Sequence, residues 1–385
     1  MLTGRRYLLA LTDEQINQAE RFGAICRAVW NTGLEQRREY RRRGAWITYV
    51  EQARQMAEAK KDLEKACRTH GTWKVRWRSK AKTPPAFRFP DPKHIQVERL
   101  NRRWGRARLP KLGWVRLRWT RPPGGAIRNA TVARDGGRWY ISFCVDDGVD
   151  EAMPNGRSAV GVDRGVTVAV ANSDAIMHDR EFVTAGEQRR IRRSQQRLAR
   201  SRRVHGRDRR SKRRDAVRAE LGRLNARIRA RHTDFAARTA HELVTRHGLV
   251  AVENLRVGNM TRSAKGTAEA PGVNVRQKAG LNRSILNKGW GGLLLALEHA
   301  ARYHGAVIVK VNPAYTFQRC SRCDLVDANS RKSQAEFTCT GCGHRDNADV
   351  TAAKNILAAG LAVTGRGGPA AGRPVKRQPP ERRAA

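Results

Sequence analysis

The chain reads as an α+β protein of several domains, and three observations predict that class. Its N-terminal half is strand-rich, with apolar and basic residues alternating. After Gly148–Arg157 the pattern changes to short apolar strands that end in carboxylates and are separated by long helical stretches. Near the C-terminus, Cys320, Cys323, Cys339 and Cys342 form a C-x2-C-x15-C-x2-C array. A length of 385 residues accommodates two to three domains with packed cores.

Charge restricts the partner. The chain carries 78 Lys and Arg against 35 Asp and Glu, a net charge of +43. A compact chain with that excess repels itself, and a polyanion is the natural counterweight. A G+C-rich genome inflates Arg, Ala and Gly, but does not by itself produce so large an excess over acids. Basic residues lie throughout and no amphipathic anchor stands out, which argues against a membrane surface. No run of about 18 apolar residues is present, so no membrane-spanning helix is expected. The opening MLTGRRYLLALTDEQ lacks the features of a secretory signal, leaving the cytoplasm as the expected compartment. The expected partner is a long nucleic acid.

Taken in order, residues 1–11 read as a strand with Tyr7, Leu9 and Leu11 alternating. Thr12-Asp13-Glu14-Gln15 is a capping box, and Ile16, Ala19, Phe22, Ile25, Ala28, Val29 and Leu34 continue one apolar helix face toward Arg41–Gly44. A second helix is expected from Tyr49 to Cys67. Trp73 to Arg78, with Lys80-Ala81-Lys82, is a basic aromatic linker whose tryptophans either stack bases or anchor a small core. From Phe87 to Asp146 strands prevail. Leu109–Gly113 is a turn, Trp114–Trp119 alternates apolar with basic residues, and Asp135-Gly136-Gly137 joins Asn129–Arg134 to Arg138–Val145 as a hairpin. The alternating arginine face suits either a phosphate backbone or solvent.

Beyond the linker, Val160–Gly165 is an apolar strand ending in Asp163 and a glycine turn, and Val166–Ala171 reads as its hairpin partner. Between Glu187 and Arg231 nineteen basic residues stand against four acidic ones, with apolar positions spaced for a helical hairpin broken near His205-Gly206. Leu249–Asn254 is a second buried strand, ending in Glu253. Gly258–Lys278 reads as a loop, Leu281–His304 as a helix, Val307–Val311 as a strand and Asp349–Leu361 as a helix. The Gly/Pro/Arg-rich tail, 365–385, is expected to be disordered.

Each C-x2-C pair lets one tight turn aim two thiolates at one ion, and two pairs complete a tetrahedron. The array therefore predicts a structural zinc site with no open coordination position. The remaining cysteines, Cys26, Cys67 and Cys144, are scattered, which argues against a disulfide framework. Asp163, Glu253 and Asp349 are three acids on three separate elements, the kind of set that metal-dependent phosphodiester hydrolysis needs, since Mg²⁺ prefers carboxylate oxygens. Singly, an Asp after a strand also serves a turn, and Asp349 also serves as a helix cap.

The order Gly161-Val162-Asp163-Arg164-Gly165, then Val252-Glu253-Asn254-Leu255, then the four-Cys ribbon, then Asp349-x-x-Ala352-Ala353-x-Asn355-Ile356-Leu357 resembles the split RuvC nuclease of the TnpB family. These are insertion-sequence-encoded, RNA-guided DNA endonucleases related to CRISPR type V effectors. Asn312-Pro313-Ala314-Tyr315-Thr316, Leu109-Pro110-Lys111-Leu112-Gly113 and the arginine-rich hairpin add to the likeness, which covers all but the tail. Phe317 and Ala348 depart from the residues common at those places.

The resemblance implies a wedge-type β-barrel (1–11 and 76–150), a helical recognition insert (12–75) and an RNase H-like RuvC nuclease (156–313 and 348–364). It implies that 314–347 is a zinc ribbon for target nucleic acid, held by Cys320, Cys323, Cys339 and Cys342. It makes Asp163, Glu253 and Asp349 the catalytic ligands of Mg²⁺, with two ions expected. The implied partners are a long structured guide RNA and double-stranded target DNA, with no membrane. Pairing by the guide would read the target while the protein reads shape and a short flanking motif. Within the same chemistry stands a small CRISPR type V effector. Outside it stand a nuclease-silent RNA-guided repressor, a strand-transferring transposase and a zinc-ribbon RNA-binding protein without chemistry.

Overall fold

A computed structural model describes residues 1–48, 50–52, 68, 75–79, 83–206, 211–267 and 270–365. The expected second helix lies largely outside these residues, as do Cys67, Trp73 and the tail from 366. Residues 1–149 group with 208–226 as one compact unit, and 150–207 with 227 onward as a second.

The first unit is built on seven antiparallel strands: β1 (Leu2–Ala10), β2 (Ala86–Phe89), β3 (Gln96–Arg99), β4 (Trp104–Leu109), β5 (Gly113–Arg118), β6 (Ala126–Asp135) and β7 (Arg138–Asp146). They are ordered β2-β6-β7-β1-β5-β4-β3. β1 pairs with β7 through Leu2–Leu8 and with β5 at Leu9 and Ala10, so it joins the two halves of the sheet. Alternation sends Tyr7, Val115, Leu117, Val132, Ile141 and Phe143 into a common core. On the other face of β4 and β5, Arg106 lies 4.1 Å from the Trp114 ring and Arg116 4.8 Å from Trp104. The β6–β7 turn needs its glycines, because Gly136 and Gly137 have φ of 57° and 82°.

Helix α1 (Asp13–Arg42) begins at the expected capping box. Gln15 accepts from the Thr12 N–H through Oε1, while its Nε2 donates to Leu112 O and Trp114 O at the β4–β5 turn. The linker is tied to this helix. Val75 is buried with Trp30 and Leu34, Arg78 stacks 3.5 Å from the Trp30 ring, and Asn31 exchanges hydrogen bonds with the Arg78 backbone. Trp77 stays 42% exposed, so among the described linker residues the apolar anchor is Val75.

In the second unit, β8 (Ala159–Asp163), β11 (Leu249–Glu253) and β12 (Val307–Val311) are parallel, and β9 (Val170–Asn172) and β10 (Met177–His178) add antiparallel strands beyond β8. The hairpin partner of β8 is thus 170–172, shorter and later than Val166–Ala171, because Gly165 and the residues after it turn out of the ladder. Helices α2 (Ala185–His205) and α3 (Lys212–Arg246) connect β8 to β11. α2 ends at Gly206, whose φ is 73°. Between β11 and β12 run α4 (Val257–Met260), α5 (Val275–Lys288) and α6 (Trp290–His304). Two expectations change here. The segment read as a loop contains α4 and the start of α5, and the helix expected over 281–304 is two. They part at Gly289, which has a φ of 68° and leaves a Cβ position only 2.9 Å from the His232 ring.

One sheet face packs Val160, Val162, Val250 and Val252 against Leu243, Val244, Leu293 and Leu297. The other carries α7 (Ala348–Gly365), where Ala251, Val309 and Val311 meet Ile356. Gly161 and Gly360 permit this approach. An added Cβ would stand 2.0 Å from Ala353 O at the first and 2.5 Å from Ala251 Cβ at the second. No helix among the described residues is long and apolar enough to cross a membrane.

Candidate active site and metal-binding ribbon

Strand periodicity puts the acids on one side. Val160 and Val162 face the α3–α6 core and Gly161 faces α7, so Asp163 follows Gly161 to the α7 side. Ala251 packs beneath α7 by the same count, and Glu253 follows it. In the parallel register Val162 stands opposite Val252, which leaves Asp163 and Glu253 at the level C-terminal ends of adjacent strands. Asp349 lies in the first turn of α7 and is 5% exposed. It does not cap that helix, since Asn347 Oδ1 accepts from the N–H of Asp349 at 2.9 Å and of Val350 at 3.2 Å. The carboxylate is therefore not spent on capping.

Burial pushes Asp163 up to about 7, and the charges of Glu253 and Asp349 add to the shift. Burial also raises Glu253, against a hydrogen bond from Thr316 and the charge of Arg164. A buried carboxyl with two other acids nearby favours its protonated form unless a cation takes the proton's place. The donor set, all hard oxygens, fits a divalent cation such as Mg²⁺.

Several site residues escaped the sequence reading. Thr316 Oγ1 donates to Glu253 Oε1 at 2.6 Å, and Asn355 Nδ2 donates to Thr316 O and Arg319 O at 2.8 and 2.7 Å, so α7 and the 312–319 loop orient the second acid together. Arg331, within the ribbon, donates to Asp349 Oδ1 at 3.1 Å. Arg164 lies buried beside Glu253. The Asn355 signal was available, as a polar residue between the apolar positions Ala352, Ala353 and Ile356 of that helix. Arg331 had none, being one arginine among many.

In the ribbon the four Sγ atoms lie within 4.8 Å of one another, with Cys320–Cys342 at 3.7 Å and Cys323–Cys339 at 3.6 Å. Four thiolates around one zinc at its usual bond length would be about 3.8 Å apart. Backbone N–H groups of Arg322 and Cys342 point at the sulfurs of Cys320 and Cys339, each at 3.4 Å. β13 (Glu336–Thr338) and β14 (Arg345–Asn347) form the ribbon hairpin, with Phe337 fully buried against Cys320, Cys339 and Ala348. This contact joins the metal-binding cluster to the start of α7.

The OrfB/IS605 family, described as "Probable transposase", matches residues 142–264, a "Cas12f1-like, TNB domain" matches 290–356, and a "Helix-turn-helix domain" matches 1–45. That last stretch is β1 followed by α1. The chain is 32% identical to "Putative RNA-guided DNA endonuclease InsQ" of Escherichia coli (strain K12), over 96% of this chain and 95% of that one. It is 29% identical to a "Putative RNA-guided DNA endonuclease" of Streptomyces pristinaespiralis, over 94% and 90%. Identity to "CRISPR-associated endodeoxyribonuclease Cas12f1" of Sulfoacidibacillus thermotolerans is 26%, over 57% and 50%. The fold is similar to Cas12f1 in a cryo-EM structure of the Cas12f1–sgRNA–target DNA complex, with a TM-score of 0.53, 14% identity, and coverage of 90% and 83%. The chain belongs to the TnpB (OrfB/IS605) family.

Proposed function

We propose that this protein is an RNA-guided DNA endonuclease of the TnpB type, hydrolysing phosphodiester bonds at a target flanked by a short motif. The observation that carries the reading is the gathering of Asp163, Glu253 and Asp349 on one side of the sheet, where the charges of Glu253 and Asp349 bear on Asp163. Those residues would hold Mg²⁺, which supplies charge neutralisation and Lewis acidity when bound. Thr316 and Asn355 orient Glu253 for that role, and Asn347 spares Asp349 from capping. Arg331 keeps a cation beside the acids from the ribbon side. Cys320, Cys323, Cys339 and Cys342 would hold zinc, fixing the fold of a ribbon that reaches the acid site.

The seven-stranded sheet serves as the wedge-type barrel and α1 opens the recognition insert. A guide RNA and the target duplex answer the charge of +43, and the cytoplasm is the place of action. The end-to-end match to InsQ, against about half-length coverage of Cas12f1, favours the TnpB type over a CRISPR effector. Sequencing the RNA that co-purifies with the protein expressed from its native flanking DNA tests this. A single species from the end of its own gene supports the reading. Repeat-derived RNA favours the CRISPR type, and heterogeneous cellular RNA counts against guide dependence.

A further inference from the structure

We propose that Arg164 is a positioning residue for the acid site: a buried guanidinium that pins the ends of β8 and β11 and the start of α6 at one point, and so sets the spacing at which Asp163 and Glu253 meet a divalent cation. The inference rests on reading those acids as cation ligands.

Arg164 is 5% exposed. Burying a guanidinium costs several kcal/mol unless its donors are matched. Here Nη2 donates to Glu253 O at 2.6 Å and Nη1 to Trp290 O at 3.3 Å, while Nε is buried without a hydrogen-bond partner, so two of the three nitrogens are matched. The indole N–H of Trp290 returns a bond to Gly165 O at 3.0 Å, closing a clasp between the residues after β8 and the first residue of α6. All these acceptors are main-chain carbonyls, so the arginine supplies charge beside Asp163 and Glu253 without occupying a carboxylate oxygen. Arg331 behaves differently, since it bonds an Asp349 carboxylate oxygen directly from a partly exposed position on the ribbon. A lysine could not copy Arg164, because an ammonium lacks the planar fork that reaches two carbonyls on different elements.

Charge and position make opposite predictions. If Arg164 acted only as a charge, its removal would relieve repulsion and tighten binding of a divalent cation. If it positions the acids, removal weakens binding, by roughly 10- to 100-fold for a residue that supports metal ligands from behind. Mn²⁺ binding to the full chain with its co-purified RNA, followed by electron paramagnetic resonance, separates the two, with Asp163→Asn marking the site. The expected result is about tenfold or weaker binding in Arg164→Met, partial recovery in Arg164→Lys, and a smaller loss in the same direction in Trp290→Phe, which removes only the return bond. Should Arg164→Met fail to fold, Trp290→Phe decides. Unchanged or tighter Mn²⁺ binding in the variants overturns the inference alone. Wild-type protein that binds no Mn²⁺, or binds it equally after Asp163→Asn, overturns the ligand reading and this inference with it.

Discussion

Gly161 sits in the middle of β8 because α7 lies directly on its backbone, and Gly161→Ala should therefore move Asp349 relative to Asp163. The added methyl would stand 2.0 Å from Ala353 O, 2.6 Å from Leu357 N and 2.9 Å from Leu357 Cβ. Two of these are backbone atoms of a helix and cannot rotate away, so α7 must withdraw by about 1 Å or more to restore ordinary contact. Overpacking of this kind costs about 1–3 kcal/mol. A displacement near 1 Å at a catalytic group costs on the order of 10²-fold in rate. Gly360→Ala is the internal control. Its methyl would meet the Ala251 side chain at 2.5 Å, and Gly360 is eleven residues along α7 from Asp349, about 16 Å. Gly360→Ala should lose similar stability but much less rate, and adding Ala251→Gly should restore it. Thermal unfolding with cleavage of a guide-matched duplex at saturating Mg²⁺ reads both effects. Full activity in Gly161→Ala, or equal inactivation by Gly360→Ala, refutes the claim that contact between β8 and α7 sets the acid geometry.

Three further outcomes are expected. Prolonged chelation should remove about one zinc per chain by elemental analysis and expose ribbon amides to hydrogen exchange, while β8, β11 and β12 stay protected. Glu187, held down to about 2 chiefly by hydrogen bonds from Arg231, should contribute stability that is fully present above its unfolded value of 4.5 and lost as pH falls toward 2. Glu187→Gln should thus cost up to about 3 kcal/mol in neutral denaturant melts and nothing near pH 2. Asn347→Ala should cost about 1 kcal/mol by leaving two first-turn N–H groups of α7 uncapped, and Asn347→Asp should recover most of it.

Where local chemistry dictates structure, the sequence was legible. Thr12 and Gln15 announce a capping box and Gly136-Gly137 a tight hairpin, each formed within a few residues of chain, and the spacing of the paired cysteines announces their cluster. Strand periodicity around Asp163 and Glu253 was legible too, but which side of the sheet they face depends on α7, whose approach is recorded only as Gly161 and Gly360. Those glycines could equally have marked turns. The break at Gly289 was hidden because helical spacing continues across it, and the reason for the break is the His232 ring, distant in sequence. Whether Asp349 caps α7 could not be told from the sequence, and the structure gives that place to Asn347. Arg331 was masked by composition, because in a chain with 78 basic residues it looks like all the rest, and the motif around Asp163 held Arg164 without showing its reach to the Glu253 and Trp290 carbonyls.

The most direct test is cleavage of a guide-matched, motif-flanked duplex by the wild-type complex and by Asp163→Ala, Glu253→Ala and Asp349→Ala in Mg²⁺. The account predicts that wild-type protein cuts. It predicts that each variant still binds guide and target but does not cut. Undiminished cutting by any one of the three would contradict the assignment of that carboxylate. Cutting by Asp163→Ala would remove the central claim, because Asp163 is the acid whose burial and neighbours carry it.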